Sequence, residues 1–319
     1  METVRLLVEN GANTEHQDKE GRTPLVVASS EGQFEIVQLL LEYGAEMEHQ
    51  DKERKTSLTV ASSNGHPEIV RLLLEYGADQ EHQDKAGRTP LVVASSEGQF
   101  EIVQLLLEYG AEMEHQDKEG KTPLIVASSN GHLEIVRLLL EHGANQEHRD
   151  KEGRTPLVVA SGKCHFEIVE LLLVEGANIE YEDTGGKTPL IVASSEGLFE
   201  IVRILLEYGA EIEHLDMFRW TPLLHASSNG HLETVRLLLD HGANKEHRNK
   251  QEQTPLMLAT FHGHTETTKL LLAKGAIMEC HDCDGDTPLT ASAGTLRLLD
   301  CCCSIMPTQN TKTWSNPRP

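Results

Sequence analysis

Apolar residues fall along this chain in two recurring clusters separated by polar stretches. In residues 84–116, DKAGRTPLVVASSEGQFEIVQLLLEYGAEMEHQ, one cluster spans Leu91 to Ala94 and the other Ile102 to Leu107. Thr89 followed by Pro90 reads as a helix N-cap with proline at the first helical position, where its missing N–H costs nothing. Leu91 and Ala94 then share one face of a short helix that Ser95, Ser96 and Gly98 end. Glu101 opens a second helix, its charge favoured near the N-terminal dipole. Ile102, Val103, Leu105, Leu106 and Leu107 give that helix a broad apolar face, and Gly110 sits where a glycine stops helices. The polar remainder, such as EHQDKEG at 114–120, has the composition of a β-hairpin tip. Two short antiparallel helices and a hairpin cannot close a core, so such units must stack.

The pattern recurs without slip. Thr23, Thr56, Thr89, Thr122, Thr155, Thr188, Thr221, Thr254 and Thr287 stand 33 residues apart, and a leucine follows each two positions later. All but Thr56 are followed directly by proline. A fixed period of this length is the mark of a solenoid, in which each unit buries surface only against its neighbours. Residues 19–50 and 85–116 differ only at Glu20 and Ala86, as recent expansion of a two-repeat block would leave them.

The motifs TPLVVA, TPLIVA and TPLLHA, with NGHLEIVRLLLEHGA at residues 130–144, resemble the ankyrin repeat over nearly the whole chain. The resemblance implies an all-α repeat solenoid of helix–turn–helix units with β-hairpin fingers, presenting a concave surface to another protein. It places a partial repeat at 1–18, eight full repeats at 19–282, a degenerate terminal repeat at 283–306 and a disordered tail at 307–319. Residues 1–12 match only a second helix, so the chain reads as a piece of a longer product. The function implied is a non-catalytic interaction scaffold or adaptor. The alternative is a targeting segment of a larger protein whose catalytic domain lies elsewhere. The sequence departs from the family twice. The histidine after T-P-L is replaced by Val26, Thr59, Val92, Ile125, Val158, Ile191, Leu224 and Met257, which predicts apolar packing where hydrogen bonds usually link repeats. Glu114 and His115 occupy positions where the family shows Asn and Ala, so modification of that Asn is not expected.

Composition narrows the partners. A formal charge of −23 opposes phosphate backbones and anionic membranes, and it favours a basic protein partner. Of the six cysteines Cys164 stands alone and the other five lie close together at 280–303, a distribution that suits a reducing compartment, the cytoplasm or the nucleus. No cofactor is expected, and a monomer is.

Three stretches invite chemistry. Glu114, His115 and Asp117 could ligate a metal, but each belongs to a ladder repeated along the chain. Adjacent Glu and His point to opposite faces of extended backbone, and successive rungs stand about 8–10 Å apart. That spacing predicts no metal site. Cys280 and Cys283 have zinc-ligand spacing but no second pair follows, although Cys301 to Cys303 could fold back. GGKT at 185–188 lacks the first glycine of a phosphate loop, since Tyr181 stands there. Cys164 beside His165 reads as a substitution in a strained turn. No catalytic residue is identified.

The resemblance further implies partner contacts four, three and one residues before the repeat Thr, and seven and eight after it. In early units these positions hold solvated charges such as Lys118 and Lys121, with Lys187 further on. The unit at Thr221 breaks the pattern with Met217, Phe218 and Trp220, followed by Ser228 and Asn229. The next unit adds Phe261 and His262, predicted to stand beside them. Aromatic residues and Met are enriched at interfaces, and Trp at their energetic centres.

Overall fold

The computed structural model describes residues 2–290 and 292. The later part of the terminal repeat, the tail with Trp314, and Cys301 to Cys303 lie outside the described residues. A short helix α1 (Glu2–Glu9) precedes eight helix pairs. The first members are α2 (Pro24–Ser30), α4 (Ser57–Asn64), α6 (Pro90–Glu97), α8 (Pro123–Asn130), α10 (Pro156–Ser161), α12 (Pro189–Glu196), α14 (Pro222–Ser228) and α16 (Pro255–Phe261). The second members are α3 (Phe34–Glu42), α5 (Pro67–Glu75), α7 (Phe100–Glu108), α9 (Leu133–Glu141), α11 (Phe166–Val174), α13 (Phe199–Glu207), α15 (Leu232–Asp240) and α17 (Thr265–Ala273). This is an all-helical repeat stack. It divides into two compact units, Met1–Ala193 with Glu200–Glu211, and Ser194–Phe199 with Ile212–Pro319.

Each first helix starts from a threonine held extended. The Thr89 hydroxyl accepts the Val92 N–H at 3.4 Å, and the same bond recurs at Thr23, Thr56, Thr122, Thr155, Thr188, Thr221 and Thr254. The helix runs further than the sequence suggested: Ser95, Ser96 and Glu97 are still helical, and Gly98 ends it at φ 77°. Nor is it apolar on one face only. Pro90, Leu91, Val92, Val93, Ala94 and Ser95 are all buried, because α6 packs against α4, α7 and α8 together. Full burial of each leucine and valine contributes about 1.5–3 kcal/mol. The second helices are one-sided, and α7 buries Ile102, Val103, Leu105 and Leu106. In the first unit α2, α4, α6, α8 and α10 stack in succession; in the second, α14 packs on α16 and α15 on α17.

The expected β-hairpin fingers are shorter than strands. Asp84 accepts the Gly87 N–H at 2.9 Å and donates its own N–H to the Arg88 carbonyl at 3.1 Å, closing a three-residue loop with Gly87 at φ 78°. That is a tight turn with a bulge glycine and one rung of pairing, and no strand is formed among the described residues. The Asp84 carboxylate holds the turn by accepting the Ala86 and Arg88 N–H groups at 2.8 and 3.0 Å. One backbone bond ties each turn to the preceding one within a unit, as Lys118 N–H to Ala86 O at 2.9 Å does.

The helix-joining turn and the loop tip both need a left-handed residue, and four repeats supply it without glycine. Cys164 (φ 64°) stands where Gly131 and Gly197 serve, and Arg54, Arg219 and Glu252 occupy the tip position. A left-handed L-residue costs about 1–2 kcal/mol, partly offset by glycine's greater freedom when unfolded. Cys164→Gly is therefore expected to stabilise the chain by about 1 kcal/mol, read as a higher urea midpoint with unchanged helix content. A second cost runs along the stack. Ser29, Ser62, Ser95, Ser128 and Ser161 are fully buried, and their hydroxyls make no hydrogen bond. Since an unsatisfied buried hydroxyl is destabilising, Ser95→Ala should leave the urea midpoint unchanged or raise it. A fall of about 1 kcal/mol would show that the hydroxyl has a partner.

Candidate functional site

The Glu–His ladder proves to be the cement between repeats. Glu81 reaches forward and accepts the Glu112 N–H at 2.9 Å. The same bond, always to the residue 31 positions on, is made by Glu15, Glu48, Glu114, Glu147, Glu180, Glu213 and Glu246 at 2.7–3.0 Å. The histidine reaches backward: His115 Nε2 donates to the Gly87 carbonyl at 2.8 Å, as His49 and His82 do to Gly21 and Arg54. A second set uses the histidine that opens the second helix. His66, His132 and His165 bond the Ser30, Ser96 and Ser129 carbonyls in the first unit, and His231 and His264 those of Ser195 and Ser228 in the second. Apolar packing was expected to replace the hydrogen bonding lost with the family histidine. The structure corrects this, because both Glu and His of the ladder, and a different histidine, supply such bonds.

The spacing argument against metal ligation also fails. It compared like rungs, whereas the structure mixes positions: ligand atoms of Glu15, Glu46 and His49 lie within 4.8 Å of one another. So do those of Glu48, Asp79 and His82, and of Glu81, Glu112 and His115. Glu46 approaches because Glu15 grips its backbone N–H at 3.0 Å. Cys280 and Cys283 do not join such a group among the described residues. Cys280 is buried, with Sγ 3.6 Å from the Thr254 hydroxyl and 3.4 Å from the Ile277 carbonyl oxygen, while Cys283 is exposed.

The DMFRW tip lies in the second unit and is assembled differently from its relatives. In three repeats of the first unit an arginine one residue before the repeat Thr clamps the turn aspartate, as Arg22, Arg88 and Arg154 do on Asp18, Asp84 and Asp150 at 2.8 Å. Trp220 takes that place here, leaving the buried Asp216 without an arginine. His225 fills the role from α14, with Nε2 2.9 Å from Asp216 Oδ2. Asp216 also accepts the Phe218 and Trp220 N–H groups at 2.9 and 2.8 Å. The half-buried Trp220 ring rests on His225 at 5.0 Å between centroids. Met217 and Phe218, by contrast, remain 54% and 53% exposed. Lys250 braces them, donating Nζ–H to the Met217 carbonyl at 2.6 Å with its ammonium 5.9 Å from the Phe218 ring centre.

The remaining contact positions scatter. Phe261 is exposed and meets His262 edge-on at 5.0 Å, and His262 stacks on His264 at 6.0 Å. No ring contact joins this pair to Phe218 or Trp220 among the described residues. Ser228 is buried and gives its carbonyl to His264, and the Asn229 side chain donates to the Ser195 carbonyl at 2.8 Å. Both serve the stack. Lys118 is exposed but spends its ammonium on the Lys85 carbonyl at 2.6 Å. Lys121 and Lys187 are half-buried, and their N–H groups bond Asp117 and Asp183. Sequence reasoning missed Asp216, His225 and Lys250. His225 was legible as the only titratable residue four places after a repeat Thr.

A family model described as ankyrin repeats (3 copies) matches residues 1–51, 43–117, 110–183, 163–249 and 243–313. A search of curated proteins gave no match to the chain.

Burial alone would raise the Asp216 carboxyl, but the His225 ring and the Trp220 and Phe218 N–H groups outweigh it and hold it below its ordinary value of 3.8. A lowered folded pKa contributes stability above the unfolded value, and that contribution is lost as pH falls through the folded value. Asn249, at the corresponding place one repeat on, accepts the Gln251 and Gln253 N–H groups, so Asp216→Asn preserves the turn. The variant is expected to lose about 1–2 kcal/mol at pH 7. The gap from the parent should close as pH drops below 3.8, measured by urea denaturation across a pH series.

Proposed function

We propose, from the premise that the chain belongs to the ankyrin-repeat family, that it is a non-catalytic scaffold or adaptor that docks another protein on the Met217–Trp220 tip. Ankyrin repeats are in general protein-interaction modules, and no helix among the described residues is long and apolar enough to cross a membrane. The observation that carries the reading is the exposure of Met217 and Phe218 on a tip whose backbone is fixed by buried Asp216. A rigid, exposed aromatic group loses little entropy when a partner covers it. Trp220 belongs to the same site but contributes partly from beneath, through its stacking on His225. The net charge of −23 steers a basic protein surface toward the chain. That partner presents an apolar side chain to Phe218 within a basic rim. The equivalent tips of the first unit carry residues such as Lys118 and Glu119, and charges of that kind contribute little to affinity.

Phe218→Ala removes exposed surface and leaves the Asp216 turn bonded. It should weaken partner binding by about 2 kcal/mol or more, some thirtyfold, with the thermal midpoint of the parent. Trp220→Ala should weaken binding too, with a modest loss of stability from the lost His225 contact. Quantitative affinity purification with both variants, followed by titration of the recovered partner, measures this. Undiminished binding of Phe218→Ala, or early melting of both variants, would place the contact elsewhere.

A further inference from the structure

The three Glu–acid–His groups of the first unit have features that inter-repeat bonding leaves unexplained. In the group of Glu81, Glu112 and His115, each side chain offers one ligand atom, and the three atoms lie within 4.8 Å. His115 Nε2 faces the Gly87 carbonyl, which can only accept, so Nε2 carries the proton and Nδ1 keeps a lone pair in the neutral ring. A histidine held this way by a backbone carbonyl is oriented as metal-ligating histidines commonly are. Glu81 uses one oxygen on the Glu112 N–H, and its other oxygen is enclosed from solvent with no hydrogen-bond partner. Glu15 has the same enclosed, unpartnered oxygen in its own group. Where the companion group can be followed, it turns toward histidine: Glu114 Oε2 stands 4.0 Å from His148 Nδ1. Two carboxylates and an imidazole lone pair converge here with no donor among them. An electrophile is the missing member.

We infer that each of these three groups binds a divalent cation of the zinc or manganese class, held by one oxygen of the ladder Glu, one oxygen of the acid 31 residues on, and Nδ1 of the histidine three residues later. Two oxygens and one nitrogen suit such ions, with water completing the shell. Bringing the ligands to bonding distance requires rotation of the partly exposed Glu112 and Glu81 side chains, not movement of the helices. The cation joins the Glu of one repeat to the acid and histidine of the next, so its binding strengthens the stack. The chain contains its own control. At the position of Glu46, Asp79 and Glu112, two other repeats of this unit carry Asn145 and Asn178, whose N–H groups bond the ladder Glu just as well, at 2.8 and 2.7 Å.

The test compares the full chain with the triple variant Glu46→Asn, Asp79→Asn, Glu112→Asn, which copies those natural repeats. Zinc is titrated into each by calorimetry at pH 7.5 under reducing conditions. Thermal melting in EDTA first establishes that the two fold alike. The parent is expected to take up three more equivalents than the variant, and its thermal midpoint to rise further on zinc addition. Long-range proton–nitrogen spectra should show the Nδ1 signals of His49, His82 and His115 shifting while Nε2 stays protonated. Equal stoichiometry in parent and variant would place all uptake outside these three groups and overturn the proposal. Unmoved Nδ1 signals would do the same.

Discussion

Everything in this molecule depends on the inability of a single repeat to enclose its own first helix. Residues Pro90 to Ser95 are buried on every side, yet only α7 from the same repeat covers them; α4 and α8 supply the rest. The apolar surface of one unit is thus completed by its neighbours, and stability passes along the chain by contact between adjacent repeats. Small residues make the close approach possible. Ala94 and Ser95 leave room for the adjoining helices, at the cost of burying a hydroxyl that finds no partner.

Polar groups then fix the register that apolar contact leaves loose. Leucine and valine layers tolerate sliding, whereas a carboxylate reaching the N–H of the residue 31 positions on does not. The ladder Glu, the backward-reaching ladder His and, where present, the histidine opening the second helix bind successive repeats within a unit at separate points. Their arrangement also draws acids and imidazoles into groups with an affinity for protons or cations, a by-product of repetition at places where the 31st residue happens to be acidic.

The tip at Asp216 shows how one substitution is absorbed locally. Trp220 removes an arginine from beneath the turn, and His225 restores a partner for the aspartate while giving the indole a surface to rest on. The turn geometry survives because the Asp216 carboxylate by itself accepts both N–H bonds, from Phe218 and Trp220. The backbone of the aromatic tip is therefore as firmly held as that of its charged relatives, and only the chemistry displayed to solvent has changed.

The sequence alone determined the repeat length, the threonine caps, the two helices per repeat and the aromatic departure at residues 217–220, since each is written in local spacing or composition. It did not determine which side chains meet across repeats. His115 and Gly87 are 28 positions apart, and Glu81 and Glu112 are 31 apart. No periodicity within one unit specifies those contacts. For the same reason the separation of Glu–His rungs misjudged the metal-ligand groups, which combine different positions of neighbouring repeats. The first helix was read as one-sided for a related cause: its burial is decided by flanking repeats, not by its own pattern. Phe261 was expected beside the aromatic tip, and the ring contact it makes among the described residues is with His262. Local spacing fixes what each repeat is, and only packing decides what its side chains touch.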